Sequence, residues 1–106
     1  PKLEVLSLGA LNMSDEALAK ILAGTPRLRS LYIDQLFSLQ SFKVPRTLSK
    51  LERIRIAMCE ELSVLQFDKC PLLRSIELWH CRLSTEFIRC FEDATSDLPA
   101  LKEIGL

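Results

Sequence analysis

Apolar residues recur along the chain in a fixed triplet: a leading Leu, then Leu or Ile three and five positions later. Five such triplets occur, Leu3-Leu6-Leu8, Leu28-Leu31-Ile33, Leu51-Ile54-Ile56, Leu73-Ile76-Leu78 and Leu101-Ile104-Leu106. A proline stands two residues before the leading Leu in four of them (Pro1, Pro26, Pro71, Pro99), and Ser49 takes that place in the third. The second and third members are two apart, so on a strand they point to one side and their neighbours to the other. One such strand cannot bury its apolar side alone, but parallel strands stacked side by side can share a continuous core.

The segments between triplets are of two kinds. Ser14-Asp15-Glu16-Ala17-Leu18 opens with a good N-cap and an acidic first turn. Ala17, Leu18, Ile21 and Leu22 then share one face, and Gly24 is a natural stop, which predicts a helix. The fourth interval predicts a second helix, capped by Ser84 and continuing through Phe87, Ile88, Cys90, Phe91 and Ala94. The two middle intervals lack that period. Leu36–Phe42 and Leu62–Phe67 are expected to be extended or irregular turns.

This spacing resembles the L-x-x-L-x-L pattern of leucine-rich repeats, and the resemblance covers the whole chain. It implies an α/β leucine-rich-repeat solenoid, a horseshoe with parallel strands on the concave face and mixed helical and irregular convex segments. The repeats begin near residues 1, 26, 49, 71 and 99. Residues 1–106 are read as one segment of a longer protein, with further repeats of the parent chain at both ends.

Eight residues beyond each leading Leu stand Leu11, Leu36, Cys59 and Cys81. Leucine-rich repeats place Asn or Cys there, so the third and fourth repeats fit the cysteine form and the first two depart from it. Met13-Ser14-Asp15-Glu16-Ala17-Leu18, Lys69-Cys70-Pro71 and His80-Cys81-Arg82-Leu83-Ser84 resemble the arrays of F-box leucine-rich-repeat proteins. In that family the array selects a substrate or holds a ligand for a ubiquitin ligase, and a separate F-box recruits the ligase. The shorter middle repeats are similar to those of plant nucleotide-binding immune receptors, which also carry cysteine at the turn. Both resemblances imply an intracellular location, cytoplasmic or nuclear, and a protein partner.

Composition narrows the function classes. Lys plus Arg and Asp plus Glu are 14 each, so net charge is zero, unlike the strongly basic balance of most nucleic-acid-binding domains. No apolar run approaches the ~18 residues of a membrane span. The four cysteines, Cys59, Cys70, Cys81 and Cys90, form no C-x-x-C pair, and His80 is the single histidine. Zinc sites use tighter ligand spacing, so reduced, buried thiols are expected, with no metal and no cofactor.

The strand alternation places a second set of residues on the face turned from the core. Tyr32, Asp34, Arg53, Arg55, Glu77 and Trp79 fall on neighbouring strands, with His80 at a strand end. Trp, Tyr and Arg are the types enriched in binding hot spots, and these seven are the candidate partner-binding set. Arg55 beside Glu77, and Trp79 beside Ala57, are also what ordinary cross-strand packing would produce. Another column, Glu4, Arg29, Glu52, Arg74 and Lys102, alternates in charge until its last member and reads as a register-setting ladder. The best acid–base grouping is His80, Glu77 and Cys81. Cys81 should turn into the core and His80 to the side opposite Glu77, so catalysis is not expected. A solenoid stretch whose binding surface lies on other repeats is the remaining alternative.

Overall fold

The computed structural model describes residues 3–9, 14–36, 38–67, 70–81, 85–95, 98 and 101–105, with backbone alone at 86, 90, 94, 103 and 104. In chain order the elements are β1 (Val5–Gly9), α1 (Asp15–Ala23), β2 (Ser30–Asp34), β3 (Ser41–Val44), a 3-10 turn (Arg46–Leu48), β4 (Arg53–Ala57), β5 (Val64–Phe67), β6 (Ser75–Trp79), α2 (Thr85–Thr95) and β7 (Glu103–Gly105). The readings that rest on Pro1, Leu11, Met13, Lys69, Arg82, Leu83, Ser84, Pro99 and Leu106 lie outside the described residues, as do the side chains of Cys90 and Ala94.

The fold is α/β. Strands β1, β2, β4, β6 and β7 form one all-parallel sheet, and neighbours in the sheet follow one another in the order of the triplets. The register aligns like with like: Leu6, Leu31, Ile54, Ile76 and Ile104 form one row, and Leu8, Ile33, Ile56 and Leu78 the next. In the three central strands these residues are fully buried, whereas Leu6 and Leu8 on the edge strand β1 are only partly so.

The same backbone devices recur in each interval. A turn precedes β2, β4, β6 and β7: the N–H of Leu28, Leu51, Leu73 and Leu101 donates to the carbonyl of Thr25, Leu48, Cys70 and Leu98, at 3.1–3.3 Å. Pro26 and Pro71 occupy the second position of that turn, where a fixed φ suits it. The carbonyl after each of the first three leading Leu residues then accepts two N–H groups at the start of the next strand: Glu4 from Arg29 and Ser30, Arg29 from Glu52 and Arg53, and Glu52 from Arg74 and Ser75. Thr25, a buried polar residue, satisfies its hydroxyl on the Leu22 carbonyl at 3.2 Å.

The middle intervals are more regular than expected. After turns closed by Leu39 N–H to Leu36 O and Leu62 N–H to Cys59 O, the chain extends into β3 and β5. These two pair in parallel as a second sheet, with Phe42 opposite Leu65 and Val44 opposite Phe67. Phe42, Val44 and Leu65 are buried and Lys43 and Gln66 exposed, the alternation of a half-buried strand. Leu36, which departs from the cysteine position of the repeat pattern, is fully buried and simply fills the core.

Helices flank this second sheet. In α1 the Ser14 hydroxyl accepts the Ala17 N–H at 3.2 Å, and the Gly24 N–H closes the helix on Ile21 and Leu22. Leu18 and Leu22 are buried and Ala17 and Ile21 partly so. The Asp15 carboxylate reaches further: its two oxygens accept the Gln40 and Ser41 N–H groups at 3.1 and 3.2 Å. In the next interval the same kind of N–H groups, from Ser63 and Val64, are taken by the Gln40 carbonyl. Asp15 thus replaces, with a side chain, the carbonyl of a strand that the helix displaces, and it closes an open sheet edge. On the other side α2 packs against β5. Phe87 and Phe91 are buried and stacked, with centroids 6.1 Å apart. Ile88, expected among the apolar residues of this helix, is exposed, because it lies one position round from the Phe87–Phe91 stripe.

Candidate functional site

The outer face of the five-stranded sheet carries the candidate residues. Register places Tyr32, Arg55 and Glu77 side by side on β2, β4 and β6, and Asp34, Ala57 and Trp79 beside one another at the strand ends. Arg55 is the hub. Its Nε donates to Glu77 Oε2 at 2.7 Å. Its guanidinium carbon lies 5.4 Å from the centroid of the Tyr32 ring and 5.8 Å from that of Trp79, within cation–π range of both. The hydrogen bond and negative charge of Glu77 push the Arg55 pKa up, so the guanidinium stays charged throughout the accessible pH range. Gly105 leaves Glu77 room: a Cβ there would come within 3.3 Å of the Glu77 Cγ.

Four of the seven predicted residues are therefore joined into one cluster: Tyr32, Arg55, Glu77 and Trp79. Trp79 keeps half of its surface exposed. Arg53 lies one pair further toward the strand starts, between Ser30 and Ser75 in register. Asp34 and His80 are exposed but stand apart from the cluster, Asp34 at the end of β2 and His80 just after β6. The Arg55–Glu77 pair is the contact that cross-strand packing alone would give. The two aromatic rings on the same guanidinium go beyond it.

A groove of about 440 Å³ opens beside this cluster, lined by Tyr32, Arg53, Arg55, Glu77 and, in addition, Arg74, Ser75 and Lys102. In the sequence Arg74 and Lys102 stand out only as rungs of the charge ladder. That ladder forms: Arg29 bonds Glu4 at 3.5 Å and Glu52 at 2.9 Å, and Arg74 bonds Glu52 at 3.6 Å. The signal for a further role was Lys102 itself, which follows Arg74 and breaks the alternation.

The corners after the strands show a feature without a sequence signal. Gln35, Met58 and His80, each seven residues beyond a leading Leu, have φ of 57°, 55° and 53°. This is the left-handed region, uncommon for residues other than Gly, with Asn, Asp and His the more tolerant side chains. The corners are tied to the next strand: Gln35 N–H donates to Ala57 O and Met58 N–H to Trp79 O, at 3.0 and 2.8 Å.

Behind two of the corners sit the cysteines. Cys59 donates to the Ala57 carbonyl at 3.5 Å, and Cys81 lies 3.7 and 3.6 Å from the carbonyls of Ile56 and Trp79. Burial pushes both thiols up in pKa. Cys59 and Cys81 are free thiols. The His80–Glu77–Cys81 grouping does not converge, because Glu77 is engaged by Arg55 and Cys81 is turned onto backbone carbonyls. Among the described residues no group of three or more His, Cys, Asp or Glu side chains could hold a metal ion, and no helix is long and apolar enough to cross a membrane.

The fold and site together define an α/β chain with an all-parallel sheet whose outer face carries an aromatic–cationic cluster. No protein-family model, curated protein or solved structure matches it.

Proposed function

We propose that this chain is a leucine-rich-repeat segment and that the outer face of its five-stranded sheet, concave in a solenoid, binds a protein partner. The observation that carries this reading is the Tyr32–Arg55–Trp79 cluster. An arginine held between two aromatic rings, with a half-exposed Trp beside it, is the composition and pre-organisation of an interface hot spot. The cysteine-containing corners and the helix opened by Ser14 and Asp15 favour an array like that of F-box leucine-rich-repeat proteins. Its task would be to select a substrate for a ubiquitin ligase.

A second reading, an array like that of plant nucleotide-binding immune receptors, is favoured by the short middle intervals. Their outer segments are the extended strands β3 and β5 in place of helices.

Affinity capture from cells with the parent protein and with its Trp79→Ala and Arg55→Glu variants tests the common core of both readings. Specific partners retained by the parent and lost from both variants, with unchanged thermal unfolding, are the expected result. Unchanged capture by both variants would remove this surface from consideration.

A further inference from the structure

Charge is unevenly distributed along the strands of the outer face. Near the strand starts stand Arg53, Arg74 and Lys102, which line the 440 Å³ groove together with Arg55 and, among the described side chains, one carboxylate, Glu77. Glu77 is already taken by Arg55, and Arg74 is held only loosely by Glu52, which Arg29 engages more closely. Among the described residues Arg53 and Lys102 form no ion pair, and the neighbours of Arg53 in register on β2 and β6 are the neutral Ser30 and Ser75. Two further hollows, of about 540 and 300 Å³, continue along the same end of the sheet, the first lined by Arg27, Arg29 and Lys50 beside Glu4 and Leu72. A chain of zero net charge therefore gathers Arg53 and Lys102, which form no ion pair among the described residues, and the loosely held Arg74 around one groove at the strand starts.

We propose that this groove at the strand starts, bounded by Arg53, Arg74 and Lys102, takes an acidic extended segment of a protein partner. The inference rests on the reading of the outer face as the binding face and names the chemistry of what binds there. A row of anionic groups, carboxylate or phosphate, complements the guanidinium forks of Arg53 and Arg74 and the Lys102 ammonium, and Ser75 adds a hydroxyl between them. A protein segment fits better than a nucleic acid. Glu4 and Glu52 confine the cationic stretch to the groove between Arg53, Arg74 and Lys102, long enough for a few acidic side chains and too short for a continuous phosphate backbone, and among the described residues Tyr32 is the one aromatic ring in the groove lining, too few for base stacking.

Fluorescence anisotropy with two labelled peptides of equal charge tests this, one glutamate-rich and one carrying phosphoserines, alongside a single-stranded oligonucleotide. The full chain is compared with the double variant Arg53→Ser/Lys102→Ser, with Lys43→Ser on the second sheet and with Trp79→Ala. Binding of at least one peptide that weakens as salt rises, falls at least tenfold in the double variant and persists in Lys43→Ser is the expected result. Whichever peptide binds more tightly identifies the anion. Failure of both peptides to bind, equal loss in Lys43→Ser, or tighter binding of the oligonucleotide with the same variant dependence would overturn the proposal. Peptide binding retained by Trp79→Ala while partner capture is lost separates this groove from the aromatic cluster. The converse, no peptide binding with partner capture still dependent on Trp79, rejects the groove and leaves the binding face standing.

Discussion

Arg55 and Glu77 face each other across β4 and β6 with Nε and Oε2 2.7 Å apart, and the same guanidinium lies against the rings of Tyr32 and Trp79. The ion pair is open to water and contributes little to stability. Its consequence is geometric, because it fixes where the guanidinium can present its remaining N–H groups. Glu77→Gln is expected to leave the melting temperature essentially unchanged while weakening partner binding severalfold, measured by calorimetry and by titration of the partner. Arg55→Ala should weaken it about tenfold or more. A fall in stability matching the fall in binding would show a merely structural pair.

The core rows are not equivalent. Ile54 is fully buried between two strands, whereas Leu6 lies on the partly covered edge strand. Ile54→Ala is expected to cost about 2–5 kcal/mol. Leu6→Ala should cost clearly less than Ile54→Ala, both read from denaturant unfolding.

Asp15 closes the edge of β3 through two backbone N–H groups. Asp15→Ala removes both acceptors and is expected to cost about 1–2 kcal/mol. Amide exchange should accelerate at Gln40 and Ser41 before it does in β2 or β4. Uniform acceleration across both sheets would show that the carboxylate serves the helix alone.

How legible each of these features was follows from where its information lies. The five strands and their register could be read directly, because every core position is Leu or Ile and the triplet repeats intact. Strands β3 and β5 are only four residues long, too short to establish a period, and Phe42 and Val44 declare a buried face only once Leu65 and Phe67 are known to lie opposite. Asp15 looked like a helix-start acid, since its partners are 25 and 26 residues away. The left-handed corners fall on Gln35, Met58 and His80; Gln and Met carry no preference for φ > 0, and a lone His is too weak a signal to mark one. The aromatic–cationic cluster was legible because strand alternation alone puts Tyr32, Arg55, Glu77 and Trp79 on one face. The groove was not, because it joins strand residues to Arg74 and Lys102, which precede their strands.

Those corners are expected to discriminate by residue type. Met58→Ile places a β-branched side chain at φ 55° and should destabilise the fold by about 1 kcal/mol or more relative to Met58→Gly, where the Cβ penalty vanishes. Equal midpoints in urea would mean that the corner relaxes to negative φ.

Burial raises the pKa of Cys59 and Cys81. Both therefore bind their protons more tightly folded than unfolded, and the unfolded chain loses them first as pH rises. Their contribution to stability is complete below the ordinary thiol value, about 8.5, and is lost as pH rises above it toward the folded values. Urea unfolding at pH 7 and pH 10 should show lower stability at pH 10, with the slope reduced in Cys59→Ala/Cys81→Ala. At neutral pH both thiols should react with an aromatic disulfide reagent much more slowly than in the unfolded chain.

Site-specific photo-cross-linking compares the two sheets most directly. A photoreactive amino acid is placed at Tyr32 or Trp79 on the outer face of the five-stranded sheet, and at Lys43 or Gln66 on the exposed side of the second sheet. Adducts to the same partner from Tyr32 and Trp79, with none from Lys43 or Gln66, are expected if the outer face is the binding face. Adducts from Lys43 and Gln66 alone, or equally from all four positions, would contradict it.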